Sequence, residues 1–134
     1  MASLDELFSA ARAVQQRAYA PYSRFRVGAA IATSDGRIFS GCNVENAAYP
    51  VGSCAEAGAI SAMVAAGEHR IAAILVMGEG EHLVTPCGGC RQRIREFAAP
   101  DTPIHVAGPE GIRKSFTLEA LLPYSFGPDN LGPR

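Results

Sequence analysis

Pro86-Cys87-Gly88-Gly89-Cys90 spaces two cysteines so that a single turn presents both sulfurs to one tetrahedral ion, and Cys54 offers a third thiolate further up the chain. Zinc is the natural occupant of such a set. Three strong protein ligands leave one position for water, which is the arrangement of a catalytic zinc rather than a closed structural one. Cys42 is the remaining cysteine, and in Ser40-Gly41-Cys42-Asn43 it reads as a small buried hydrophobe in a strand, with ligation the lesser alternative. His69 follows a helix end, His82 lies in a polar stretch and His105 alternates within a strand; solvent-facing or hydrogen-bonded histidines account for all three. Glu56 stands two residues after Cys54, in the first turn of a helix, placed to move protons beside the metal without ligating it. The same fragment, Ser53-Cys54-Ala55-Glu56, also fits a capping box in which Glu56 only reaches back to the Ser53 N–H.

The elements that must bring these residues together can be read along the chain. Ser3-Leu4-Asp5-Glu6 is a capping box, and Leu4, Leu7, Phe8, Ala11, Val14 and Ala18 recur at helical spacing until Pro21 interrupts them. Residues 25–33 and 38–44 are strand-like and flank an Asp35-Gly36 turn, which predicts a hairpin. Residues 45–53 have no period, residues 54–66 are Ala-rich, and Gly67 is a natural helix terminator. The apolar run 71–77 predicts a central strand covered on both faces. Pro86 suits the first turn of a third helix continuing through Ile94 and Phe97 to Ala99. Short strands at 104–107 and 112–116 and a short helix at 118–122 complete the pattern before a Pro- and Gly-containing tail. The order α-β-β-α-β-α-β-β predicts an α/β fold, a three-layer α/β/α sandwich with a mixed, about five-stranded sheet, as one domain over residues 1–134. Neighbouring strands would start the helices at Cys54 and Cys87 close together.

Composition narrows the class of function. A chain of 134 residues with 48% hydrophobic and 19% charged residues buries an ordinary core. With 12 Lys and Arg against 13 Asp and Glu, the net charge of −1 offers no cation excess for a polynucleotide or an anionic membrane. No apolar run approaches the ~20 residues of a membrane helix, and Asp5 and Glu6 precede any apolar stretch, unlike a secretory leader. A cytoplasmic protein is expected, in which a Cys-x-x-Cys signals metal or redox chemistry rather than disulfides.

Zinc deaminases combine a three-cysteine metal site with a separate glutamate acid/base and a Pro-Cys-x-x-Cys, and Cys54-Ala55-Glu56 with Pro86-Cys87-Gly88-Gly89-Cys90 fits that description. The chain resembles the short, homotetrameric cytidine deaminases over nearly its whole length. Residues 22–30 (YSRFRVGAA) resemble that family's first strand, residues 41–50 (GCNVENAAYP) its ribose-binding stretch, and residues 86–92 its second zinc motif. The resemblance implies a cytidine deaminase-like fold and one Zn²⁺ per chain on Cys54, Cys87 and Cys90, with Glu56 as the catalytic acid/base. It implies substrate contacts at Phe25, Asn43, Glu45, Ala55 and Phe126: Asn43 and Glu45 on the sugar 3′-hydroxyl, Phe25 against the base, Phe126 closing a neighbouring subunit's pocket. The partners it implies are a free nucleoside and three further copies of the chain, with no nucleic-acid polymer and no membrane. The expected reaction is hydrolytic deamination of cytidine or 2′-deoxycytidine in pyrimidine salvage.

One position departs from the family pattern. The family usually carries Arg immediately after the Glu of Cys-Ala-Glu, where it hydrogen-bonds the zinc thiolates, and this chain has Ala57. Helix N-termini at Cys54 and Cys87 can offset part of the thiolate charge, and Arg91 is a candidate cation. Deaminases of blasticidin-type antibiotics also lack that Arg, so a modified cytosine nucleoside or a nucleoside antibiotic is the alternative substrate. A non-catalytic zinc-stabilised protein would need a fourth ligand and no pocket. Deamination of DNA or RNA is disfavoured by the charge balance.

Overall fold

Ser3 and Glu6 cap the first helix, α1 (Leu4–Gln15), reciprocally: the Glu6 N–H donates to Ser3 Oγ at 3.1 Å and the Ser3 N–H to Glu6 Oε1 at 2.9 Å. The structure is a computed structural model describing residues 1–132; Pro133 and Arg134, the end of the tail, lie outside the described residues. Helix α1 stops short of Ala18 although the apolar period continues. The next segment is captured by the stretch after the hairpin, with the Tyr19 N–H on the Asn43 carbonyl at 3.0 Å and the Glu45 N–H on the Tyr19 carbonyl at 2.8 Å. Tertiary pairing overrides helical propagation there, and the first strand accordingly begins three residues later than the apolar pattern suggests.

Strands β1 (Gly28–Ala32), β2 (Ile38–Cys42), β3 (Ala73–Met77), β4 (Pro103–Gly108) and β5 (Gly111–Thr117) form one sheet in the order β2-β1-β3-β4-β5. β1 runs antiparallel to β2 and β3, β3 parallel to β4, and β5 antiparallel to β4. The sheet is therefore mixed and five-stranded, as expected. The parallel pair requires a crossover, supplied by α3 (Gly88–Phe97). Every residue of β3 is buried: Ile74 and Val76 face a core shared with α2 (Ala55–Ala65) and α3, and Ala73, Leu75 and Met77 face a second core under α1. Helices cover both faces, which is the α/β/α layering the sequence predicts. A one-turn helix α4 (Leu118–Leu121) packs on the α2 side through Leu118 and Leu121.

Two glycines set how closely the helices approach. A Cβ on Gly28 would lie 2.2 Å from the Ala11 carbonyl oxygen of α1, and one on Gly41 would lie 2.3 Å from the Ala59 nitrogen of α2. Both contacts are backbone, so any side chain there would push a helix off the sheet. Ala55 and Ala59, both fully buried, allow the same close seating from the helix side.

Candidate active site

The register places the site. Gly28 pairs with Cys42 on one side and Met77 on the other, so β2 and β3, with β1 between them, finish at the same end of the sheet. Residues 43–53 lead from that end into α2 and residues 78–86 lead from it into α3, and the first helical turns meet. Cys54 is the N-cap of α2 and Cys87 the N-cap of α3, both in extended conformation. Pro86 therefore lies just before the helix rather than in its first turn. Its position lets Cys87 cap the helix, and its carbonyl accepts from Arg91 Nε at 2.7 Å.

The sulfurs of Cys54, Cys87 and Cys90 lie within 4.8 Å of one another, and among the described residues this is the one such group of His, Cys, Asp or Glu ligands. Cys42, His69, His82 and His105 are outside it. His69 and His82 are exposed, and His105 Nδ1 is hydrogen-bonded to Ser115 Oγ at 2.6 Å. A tetrahedral ion with bonds of about 2.3 Å to sulfur holds its thiolates ~3.8 Å apart. Three free thiols converging to this degree fit zinc with little rearrangement. The electrostatics agree. The Cys90 N–H lowers the Cys87 thiol below its ordinary value, whereas burial raises Cys54 and raises Cys90 further. Ionising all of them together needs a cation, which a divalent ion supplies.

Glu56 is 4% exposed and lies in the first turn of α2, one residue after fully buried Ala55. The helix has Cys54 as its N-cap and no side-chain capping bond, so the capping-box role is not what Glu56 performs. Burial pushes its carboxyl above the ordinary range, offset in part by its own N–H, by Cys90 and by the positive charge of Arg93.

Beside the sulfurs opens a hollow of about 560 Å³, walled by Tyr22, Asn43, Glu45, Tyr49, Ser53 and Cys54 among others. Asn43 Oδ1 accepts the Val27 N–H and Asn43 Nδ2 donates to the Phe25 carbonyl, each at 2.8 Å. Glu45 Oε1 accepts the N–H groups of Tyr22 (2.9 Å) and Ser23 (3.1 Å), and Oε2 accepts the Ser23 hydroxyl. These two side chains thus both line the hollow and fix the segment that forms its far wall. Tyr22 and Tyr49, an edge-to-face pair 6.1 Å apart, are wall residues not among the expected contacts; each lies in a stretch without secondary-structure period, so only their meeting in space marks them.

The remaining expected contacts are placed differently. Phe25 is 39% exposed on the braced segment and does not wall the hollow itself. The Ala55 methyl is in the core, leaving its first-turn N–H as the group available to the site. Phe126 is remote from the hollow: it sits over α3, where Gln92 Nε2 donates to its carbonyl at 2.8 Å, and is 59% exposed.

Arg91 does not reach the thiolates. Besides the Pro86 carbonyl it donates to the Leu121 carbonyl at 2.8 Å and to Thr85 Oγ1 at 3.2 Å, tying the approach to α3 to α4. The cation at the sulfurs is Arg93, whose Nη1 lies 3.5 Å from Cys90 Sγ. Helical spacing was the available signal: residues three apart share a face, whereas Arg91, adjacent to Cys90, is turned away.

Residues 1–106 match the family described as the cytidine and deoxycytidylate deaminase zinc-binding region. The cytidine deaminase of Sporosarcina psychrophila is 38% identical over 128 residues, 96% of this chain and 94% of its own. Among solved structures, the cytidine deaminase of Burkholderia pseudomallei superposes with a TM-score of 0.87 at 42% identity, covering 92% of this chain and 99% of that one. The cytidine deaminase of Mycobacterium tuberculosis superposes with a TM-score of 0.80 at 36% identity, covering 95% and 99%.

Proposed function

The chain belongs to the cytidine and deoxycytidylate deaminase family, and we propose that this enzyme hydrolyses free cytidine or 2′-deoxycytidine to the uracil nucleoside and ammonia, in pyrimidine salvage. The observation that carries this reading is the convergence of three thiols, with the buried Glu56 carboxyl against Cys90, beside a hollow that Cys54 borders. Zinc held by Cys54, Cys87 and Cys90 would supply a water of near-neutral pKa.

Glu56 then carries the protons. Its carboxylate takes a proton from the attacking water and delivers it to N3 of the cytosine ring while the water oxygen bonds to C4. The remaining hydroxyl proton returns through Glu56 to the 4-amino group, the C4–N bond breaks and ammonia leaves, so that one water is consumed per amine released. The Ala55 N–H, without an intrahelical acceptor, is available to a ring substituent.

Substrate positioning follows from unused hydrogen-bonding capacity. A carboxylate offers about four acceptor sites, and Glu45 uses three of them on Tyr22 and Ser23. Asn43 Nδ2 spends one of its two N–H groups on Phe25. A sugar 3′-hydroxyl that donates to Glu45 and accepts from Asn43 completes both; Phe25 lies outside the hollow's wall and would have to turn inward to meet the base. A purely structural zinc protein is disfavoured by a ligand group of three with a hollow beside it.

The assembly we propose is a homotetramer with composite active sites. Its support is the apolar surface around the open hollow, where Tyr22, Val44, Tyr49 and Val51 are 51%, 48%, 76% and 68% exposed. Of the apolar tail, Leu121 and Leu122 pack on the chain's own core, whereas Tyr124 and Phe126 remain outside it, the latter available to a neighbour's hollow. No helix among the described residues is long and apolar enough to cross a membrane, and thiols that must stay reduced suit a cytoplasmic setting.

The test is ammonia release from a panel of cytosine nucleosides, including a blasticidin-type antibiotic, with zinc measured on the same sample. Equimolar ammonia and uracil nucleoside from cytidine or deoxycytidine is expected. A fully zinc-loaded protein inert toward both would contradict the assignment.

A further inference from the structure

Three thiolates and one divalent ion sum to a single negative charge, which resists the ionisation of a coordinated water and calls for a hydrogen-bond donor at the sulfurs. Position 57, one residue beyond Glu56, holds an alanine and contributes no cation. The surrounding arginines are committed elsewhere. Arg91 is spent on three oxygens of the α3 approach and α4, and Arg95 binds Ser125 Oγ at 2.9 Å and Asp129 at 3.4 Å. Arg26 is engaged with Glu79 at 3.8 Å.

Arg93 differs from these. It lies one turn along α3 from Cys90, and helical side chains lean toward the N-terminus, so its guanidinium reaches back over the start of the helix. There Nη1 is 3.5 Å from Cys90 Sγ and 3.5 Å from where a Cβ on Gly89 would stand, so the guanidinium lies over Gly89. The bare Gly88-Gly89 pair leaves that path open.

We infer that Arg93 is the positioning cation of the three-sulfur centre, its guanidinium cancelling the residual thiolate charge and holding Cys90 in its ligating orientation. The inference rests on the zinc reading of Cys54, Cys87 and Cys90. Arg93 touches neither substrate nor reacting atoms; it acts through Cys90. At 3.5 Å the guanidinium donates to Cys90 Sγ, so it both fixes the direction of that sulfur and places a positive charge against the anionic cluster that a divalent ion would form with three thiolates. Partners of this kind around a metal typically account for ~10–100-fold in affinity.

The experiment is chelator competition against the zinc-loaded protein, comparing wild type with Arg93→Gln, Arg93→Lys and Arg93→Met at one pH. The expected result is zinc bound ~10–100-fold more weakly in Arg93→Gln and Arg93→Met, with most of the affinity kept in Arg93→Lys. Affinity equal to wild type in the neutral variants would overturn the inference, as would a lysine variant as weak as the neutral ones, since charge would then not be the property that matters. The side chain is exposed and leaves no core void when replaced. Should Arg93→Gln fail to fold, the lysine and methionine variants make the same comparison. A wild-type protein that holds no zinc would overturn the metal reading itself, and this inference with it.

Discussion

Asn43 and Val27 are joined by a 2.8 Å hydrogen bond from the Val27 N–H to Asn43 Oδ1, and the same amide reaches the Phe25 carbonyl at 2.8 Å through Nδ2. One side chain thereby reinforces the pairing beyond Gly28 and Cys42, where a single backbone bond joins the same two residues, from the Asn43 N–H to the Val27 carbonyl at 3.2 Å. Asn43→Ala should lose both bonds, destabilising the fold by about 1–3 kcal/mol at ~0.5–1.5 kcal/mol each, and raise KM for the nucleoside. Thermal unfolding and steady-state kinetics on the zinc-loaded variant check this; unchanged stability would show that water replaces the amide at no loss.

Glu45 is pinned by Tyr22 and Ser23, and the Ser23 hydroxyl is the leading reason its carboxyl sits below the ordinary range. Ser23→Ala should free the wall of the hollow without touching the sulfurs. The expected outcome is a higher KM with zinc content and kcat near wild type. A fall in kcat at unchanged KM would place Ser23 in the chemistry instead.

Much of the site was legible because helix starts announce themselves. Cys54 and Cys87 each stand at the junction of an aperiodic loop and a helical pattern, and their convergence follows once β2 and β3 flank β1. The apolar run of β3 likewise declared burial on both faces. What stayed hidden depended on contacts between distant segments. The early end of α1 comes from pairing of Tyr19 with the Asn43 and Glu45 backbones, which no local pattern in residues 14–18 reveals. Arg91 is a candidate cation in the sequence, but the partners that claim it, Thr85 and Leu121, are set by tertiary packing, and helical phase hands the sulfur to Arg93 instead.

His105, 9% exposed between Leu75 and Ser115 on neighbouring strands, has its ring pushed below the ordinary 6.5 by burial. Below about 6.5 the unfolded chain takes up a proton that the folded one refuses until the pH reaches the lower folded value, so stability falls as pH drops through that window. His105→Asn, which can still bond Ser115, should lose less melting temperature than wild type between pH 7 and 5. Parallel decreases for the two proteins would remove His105 as a source of acid sensitivity.

Light scattering of the purified protein should report a tetramer, and Phe126→Ala should raise KM far more than it lowers thermal stability, because that ring is 59% exposed in its own chain. A fully active monomer would refute the composite site.

The most direct test of the central claim is the turnover of zinc-loaded Glu56→Gln with cytidine. The amide is nearly isosteric with the buried carboxyl, so fold and metal content should be retained, but it can neither accept nor return the proton. General acid–base catalysis contributes ~10²–10⁴-fold, and kcat is expected to fall by at least that much. Near-normal turnover in a fully metallated variant would contradict the account, since the buried carboxyl beside the three sulfurs would then have no part in moving the proton.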